Sequence, residues 1–170
     1  YPINPKGGNI QGLPAYASVL DTPTAPDLAI LAVPVEATLQ AVRDCAKRGV
    51  RSVIVLTSGF AEAGPEGIAL QAELVRVARS HGMRLLGPNC LGTVNVVDKL
   101  VGSFSIALEQ NMPPAGHVGI VSQSGNIGSF TMSNMAQRGL GVSRFIATGN
   151  EADVDVADGI AALAQDADTR

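Results

Sequence analysis

Gly87-Pro88-Asn89-Cys90-Leu91-Gly92 packs a thiol, a carboxamide and two glycines into six residues. It follows the apolar run at residues 83–86, so it reads as a sharp turn leaving a strand. The carboxyl edge of an open α/β sheet is where such turns meet ligands. Three chemistries fit it: a Cys90 nucleophile, a metal ligand, or a turn that lets a ligand approach the backbone. A nucleophile needs a base within hydrogen-bond reach, and the sequence holds only His81 and His117. His81 falls at a helix end, where it can meet the last carbonyls. His117 opens a strand at the end away from the ligand edge. No catalytic residue is assigned in this chain. Clustered metal ligands are missing from the sequence, so no metal is assigned. The binding turn is the reading that stands.

Ser122-Gln123-Ser124-Gly125-Asn126 is a second polar turn, again between a strand and a helix. Hydroxyls and free N–H groups at a helix N-terminus make an anion site. Ordinary capping by Ser124 or Asn126 explains the same residues. Ser122 and Asn126 stand where a nucleophile elbow needs glycines. No Lys follows, so it is not a phosphate-binding P-loop either. Lys6 stands beside Gly7-Gly8, near where a dinucleotide fold would carry an acid for ribose hydroxyls. A cation there suits a phosphorylated ribose, as in coenzyme A or NADP. A solvated Lys beside a flexible Gly pair is the plain alternative.

The elements that position these turns are legible as a pattern. Residues 1–4 read as a short strand. Residues 27–33 form a nearly continuous apolar run, expected as a central strand buried on both faces. Over residues 35–48, Val35, Leu39, Val42 and Ala46 recur at spacings of four, three and four, which predicts a helix ended by Gly49. A strand over 52–56 follows. The next helix covers residues 66–81, with an expected apolar face of Ile68, Ala72, Val75 and Ala78. A strand over 84–86 feeds the Cys90 turn. This alternation predicts a parallel sheet covered by helices. Its carboxyl-end turns gather on one edge, so one ligand could touch Lys6, Pro34, Ser58 and Asn89 together.

Short β-like pieces lie at 93–95 and 101–106. The Pro-, Gly- and Asn-rich stretch over residues 110–116 breaks the pattern and marks a boundary. Beyond it the alternation restarts: a strand at 117–121, a helix at 127–138, a strand at 142–147 and a helix at 156–164. The expected organisation is a first α/β unit over residues 1–111 and the start of a second over residues 116–170. The first residue is Tyr1, on what reads as the end of a strand, so the chain is expected to be a piece of something longer.

Composition narrows the function classes. The formal net charge is −3 with no basic block, which argues against nucleic acid as a partner. All six acids after residue 111 lie between Glu151 and Asp168, and they read as a solvated acidic face. Apolar runs fall short of the roughly 18 residues of a membrane span. Two cysteines without disulfide spacing suit a reducing, cytoplasmic setting.

Six motifs stand in order along the chain: N-P-K-G-G, D-L-A-I-L-A-V-P, T-S-G-F-A-E, G-P-N-C-L-G, V-S-Q-S-G and G-N-E-A-D-V-D. Together they resemble the ADP-forming (NDP-forming) acyl-CoA synthetases, relatives of the succinyl-CoA synthetase α subunit. The resemblance implies a Rossmann-like CoA-binding domain, its first strand and Gly-rich loop outside this chain, followed by the start of a flavodoxin-like α/β domain. It implies that Lys6 meets a CoA phosphate and that Val33 and Pro34 line the nucleotide site. It places Ser58 and Gly59 near CoA, and Asn89 and Cys90 near its pantetheine arm. Ser122, Ser124, Gly125 and Asn126 would receive a phosphoryl group. The implied reaction joins a carboxylic acid to CoA at the expense of ATP, through an acyl phosphate and a phosphohistidine. That histidine, the ATP/ADP and Mg2+ site, and the ATP-grasp domain or β subunit would lie outside this chain, which alone would be inactive. An oligomer is implied. A synthetase-like acyl-CoA sensor within a protein lysine acetyltransferase is the alternative, and a plain NADP-binding domain a weaker third.

Overall fold

The computed structural model describes all 170 residues, the Glu109 side chain excepted. Near the start, β1 (Asn9–Ile10) and β2 (Leu13–Pro14) form a small antiparallel hairpin. The strand expected over residues 1–4 joins neither larger sheet. Ile3 bridges only to Tyr16, whose ring meets Tyr1 edge-on at 5.6 Å. Pro2 and Pro5 flank this segment and carry no N–H for a ladder.

The first sheet is parallel, in the order β3 (Leu28–Leu31), β4 (Ser52–Val55), β5 (Arg84–Leu86). The central strand is β4, with Val53, Ile54 and Val55 all buried. The expectation that residues 27–33 would be central is corrected: β3 is the edge of this sheet, and Ile30 is 44% exposed. Helix α1 (Val35–Arg48) buries Thr38, Val42, Cys45 and Ala46, and Gly49 ends it in left-handed backbone as expected. Helix α2 (Pro65–Ser80) buries Gly67, Leu74, Val77 and Ala78. The apolar face expected on Ile68 and Ala72 is rotated away from the core. A Cβ at Gly67 would lie 1.8 Å from the Phe60 carbonyl oxygen. That close backbone approach, which only glycine allows, sets the buried face and leaves Ile68 in solvent. Phe60, Leu74, Met83 and Leu85 fill the core beneath.

The second sheet has four strands. They are β6 (Gly92–Asn95), β7 (Leu100–Ser103), β8 (Ala115–Ser122) and β9 (Val142–Ala147), in the order β7-β6-β9-β8. The β8–β9 pair is parallel; β6 runs antiparallel to both neighbours. The β6–β7 hairpin, grouped by the sequence with the first unit, thus pairs with β9, Val94 opposite Phe145. The β-like piece expected over 101–106 ends at Ser103, and α3 (Ile106–Gln110) begins three residues on. Helix α4 (Gly125–Gln137) packs on β8 and β9, with Met132 and Phe145 fully buried. Helix α5 (Val156–Ala164) packs on β8.

The acids from Glu151 to Asp168 are only partly a solvated face: Asp155 and Asp158 are exposed, the others are half-buried or buried. Asp153 is buried and accepts from Arg79 Nε and Arg84 Nε, both at 2.9 Å, and from the Leu85 N–H at 2.8 Å. Asp155 caps α5. Asp168 and Asp166 hold Arg144 at 2.9 and 3.3 Å. Among the described residues no helix is long and apolar enough to cross a membrane.

Candidate functional site

The three parallel strands of the first sheet end on one edge, and hydrogen bonds chain their exits together. Thr57 Oγ1 donates to the Val33 carbonyl at 2.6 Å. The Asn89 N–H donates to the Thr57 carbonyl at 2.9 Å. Pro34 leads into α1 beside Val33, and Ser58 is exposed next to Thr57. Gly59 packs against Val35 and donates its N–H to Glu62 Oε1 at 2.6 Å. Val33, Pro34, Ser58, Gly59 and Asn89 therefore share one rim. Lys6 lies on an exposed turn closed by Asn4, with its own N–H donating to Asn4 Oδ1 at 3.0 Å.

The Cys90 turn holds its residues in two directions. The Gly87–Pro88 peptide is cis and Asn89 has φ 55°. Asn89 faces outward while Cys90 is 4% exposed, its thiol 3.5 Å from the Val55 carbonyl. Burial pushes the thiol pKa up to about 11, so at neutral pH it is a protonated, weakly donating group. His81 Nδ1 lies 3.0 Å from the Val77 carbonyl at the end of α2. His117 Nδ1 lies 2.9 Å from the Asp168 carbonyl. Neither imidazole is paired with Cys90, and the nucleophile reading falls with the thiol's burial.

The second polar turn links β8 to α4. Ser124 caps the helix, its hydroxyl accepting from the Ile127 N–H at 3.4 Å. Ser122 turns its hydroxyl inward and donates to the Ser124 carbonyl at 2.7 Å. Gly125 lies so near Leu91 that a Cβ there would come within 2.5 Å of Leu91 Cγ. The helix end and the Cys90 turn thus face each other across a cleft of about 300 Å³. Asn89, Gln123, Ser124, Gly125 and Asn126 give it a polar side. Leu56, Cys90, Leu91 and Phe104 give it an apolar side. Of the residues singled out in the sequence, Asn89, Cys90, Ser124, Gly125 and Asn126 meet here. Val33, Pro34, Ser58 and Gly59 lie on the rim of the first sheet, and Ser122 points into its own turn.

The loop after β9 supplies what the sequence reading missed. Asn150 Nδ2 donates to Glu62 and, at 3.0 Å, to Gln71 Oε1. Its Oδ1 accepts from Asn89 Nδ2 at 3.2 Å, and its N–H donates to the Pro88 carbonyl at 2.9 Å. Gln123 Nε2 donates to the Gly149 carbonyl at 2.7 Å. One asparagine thereby fixes the Cys90 turn against the Gly59 turn. Burial would raise the Glu62 carboxyl, but hydrogen bonds from Asn150 and the Gly59 and Phe60 N–H groups hold it below the usual carboxylate range. The available signal was positional: Gly149-Asn150 leaves a strand toward the same cleft as the other two turns.

Residues 1–95 match the family model of the CoA binding domain, and residues 115–170 that of the succinyl-CoA ligase like flavodoxin domain. An ADP-forming acetate–CoA ligase II α subunit from Pyrococcus furiosus is 39% identical, over 93% of this chain and 34% of its own length. A trans-feruloyl-CoA synthase from an unknown prokaryotic organism is 42% identical, over 99% of this chain and 24% of its own. The dinucleotide forming acetyl-coenzyme A synthetase 1 of Ca. Korarchaeum cryptofilum, solved in complex with phosphate and ADP, superposes with a TM-score of 0.91. It is 37% identical, over 99% of this chain and 35% of that one. The chain thus spans about a third or less of the length of these relatives. They are ligases and synthases, and the lysine acetyltransferase alternative finds no support among them. With a CoA-binding match over its first 95 residues and a succinyl-CoA-ligase-like flavodoxin match after it, the chain belongs to the CoA-binding domain family, in the arrangement of the ADP-forming acyl-CoA ligases.

Proposed function

We propose that this chain is the CoA-binding part, and half of the phosphoryl site, of an ADP-forming acid–thiol ligase. The observation that carries this is the shared cleft: the Asn89–Cys90 turn and the N-terminus of α4 open onto the same space. A thiol arm lying along the first and a phosphoryl group held at the second would bring the reacting atoms together. CoA would run from there along the rim of Val33, Pro34, Ser58 and Gly59, with Lys6 toward a phosphate at its far end.

The chemistry follows from charge. In the direction of synthesis, a phosphoryl group passes from a phosphohistidine to the carboxylate of the acid, giving an acyl phosphate. The CoA thiol, losing its proton, attacks the carbonyl carbon. A C–S bond forms, the C–O bond to phosphate breaks, and inorganic phosphate leaves. Each step moves negative charge near the α4 N-terminus, whose unpaired N–H groups and dipole stabilise it. Gln123 and Asn126 add donors on the same side. This division leaves Cys90 as a neutral wall, and Asn89 and Asn150 as the residues that hold the turn in place.

The histidine, the ATP/ADP and Mg2+ site and the ATP-grasp partner lie, in this reading, outside the chain, which alone does not turn over. The relatives' description as an α subunit supports a partner or a larger oligomer. Two free, buried cysteines support a reducing cytoplasmic setting. The test is to incubate the complete ligase with γ-labelled ATP and look for an acid-labile phosphohistidine that discharges when acid and CoA are added. Tight acyl-CoA binding with no label would overturn the ligase reading.

A further inference from the structure

Phe104 lies on the short link between β7 and α3, and it is 58% exposed. Its other face lines the cleft, opposite the polar side made by the turn before α4. An exposed aromatic ring usually has freedom to move, but here its neighbours are tethered. The Ser105 N–H donates to Ser103 Oγ at 3.2 Å. The Ser105 and Ser129 hydroxyls lie 2.9 Å apart, and Ser129 is buried in α4. The ring is therefore carried on a link pinned to the same helix whose end forms the polar side. With Leu56 and Leu91 it supplies the large apolar side chains that line the cleft.

The cleft's size gives that lining a consequence. The cleft offers about 300 Å³. A phosphate at the helix end and the thioester itself take much of that space. Leu56, Leu91 and Phe104 give the rest of the lining its apolar character, and among the described residues no charged side chain lines it. We propose that Phe104 is the specificity-determining residue of this chain: it closes the apolar end of the cleft and sets how long an acyl chain fits. The inference rests on the cleft holding the thiol end of CoA. Leu56 and Leu91 are half-buried, and Leu91 packs against the second core, whereas Phe104 is 58% exposed and can be cut back without opening a core.

The experiment is calorimetric titration of the complete ligase with CoA, acetyl-CoA and hexanoyl-CoA, for wild type, Phe104→Ala and Phe104→Leu. Phe130→Ala is the control, since Phe130 is 71% exposed on α4 and lies outside the cleft. The quantity read is the hexanoyl-CoA to acetyl-CoA affinity ratio. Each methylene in an apolar pocket discriminates by about tenfold or more. The ratio is expected to rise at least about tenfold in Phe104→Ala, and by less in Phe104→Leu. It should stay at the wild-type value in Phe130→Ala. An unchanged ratio in both Phe104 variants, with CoA still bound, overturns the assignment of Phe104 alone. Failure of the wild-type ligase to bind any of the three overturns the site reading, and the inference with it.

Discussion

Cys90 was the residue whose type most invited a catalytic role, and its surroundings decide against one. The thiol is enclosed by the Val55 and Leu86 carbonyls, at 3.5 and 3.9 Å. With burial pushing its pKa up to about 11, roughly one thiol in ten thousand is ionised at pH 7. Alkylation proceeds through the thiolate. At pH 7.5 iodoacetamide should therefore label Cys90 about 100-fold more slowly in the folded chain than in urea, from the rise of its pKa to about 11. Mass spectrometry of timed samples measures this. Rapid labelling of the folded chain, with loss of CoA binding, would restore the nucleophile. Much of this outcome was legible, because the lack of a suitable base can be read from two histidines in the wrong places. The burial was not. Val55 and Cys90 are 35 residues apart, and only the parallel pairing of the strands before them brings the carbonyl onto the thiol.

Among the elements, helices defined by side-chain periodicity were read well and those defined by backbone approach were not. Helix α1 carries its stripe on Leu39, Val42 and Ala46, and its ends fall where Pro34 and Gly49 put them. Helix α2 turns on Gly67, a residue with no side chain to announce a buried face. The loop before α5 shows the same limit with charge. Asp153 looked like one acid in a solvated run, yet its partners Arg79 and Arg84 lie about seventy residues earlier. Its side chain is 1% exposed. Burial alone would raise its carboxyl, but the Leu85 N–H and the two guanidiniums outweigh that and hold it below the usual 3.8. A carboxyl lowered in the folded state contributes stability that is complete above its ordinary value and is lost as pH falls through the folded one. Asp153→Asn should therefore cost about 2–3 kcal/mol at pH 7, the scale of hydrogen bonds to a charged group. The cost should shrink as pH falls below about 3.8. Urea denaturation of both proteins at a series of pH values measures it. A difference that does not change with pH would mean that Asp153 acts by shape rather than by charge.

At the scale of the whole molecule, the two sheets meet through loops rather than through a shared ladder. The hairpin that follows the Cys90 turn belongs to the second sheet, where its strand β6 pairs with β9. Sequence periodicity shows strands but not which distant strand each one joins, so the alternation could not show that β6 pairs with β9. The seam's tightest point is Gly149. It has φ +63°, and a Cβ there would lie 2.4 Å from the Pro88 carbonyl oxygen and 2.6 Å from that of Asn89. Gly139 has nearly the same backbone, φ +68°, with nothing within 4 Å of the place a Cβ would take. Replacing each by Ala separates two effects. Gly139→Ala has only the left-handed penalty, about 1–2 kcal/mol. Gly149→Ala adds a backbone collision that can be relieved only by moving the Cys90 turn away from the loop that carries Asn150. It should lose more stability than Gly139→Ala and also weaken CoA binding, whereas Gly139→Ala should leave affinity unchanged. Thermal melting and calorimetry on the two variants give both readouts. Equal losses of stability with equal affinity would mean that the seam is slack, and that the cleft does not depend on the two units being pressed together.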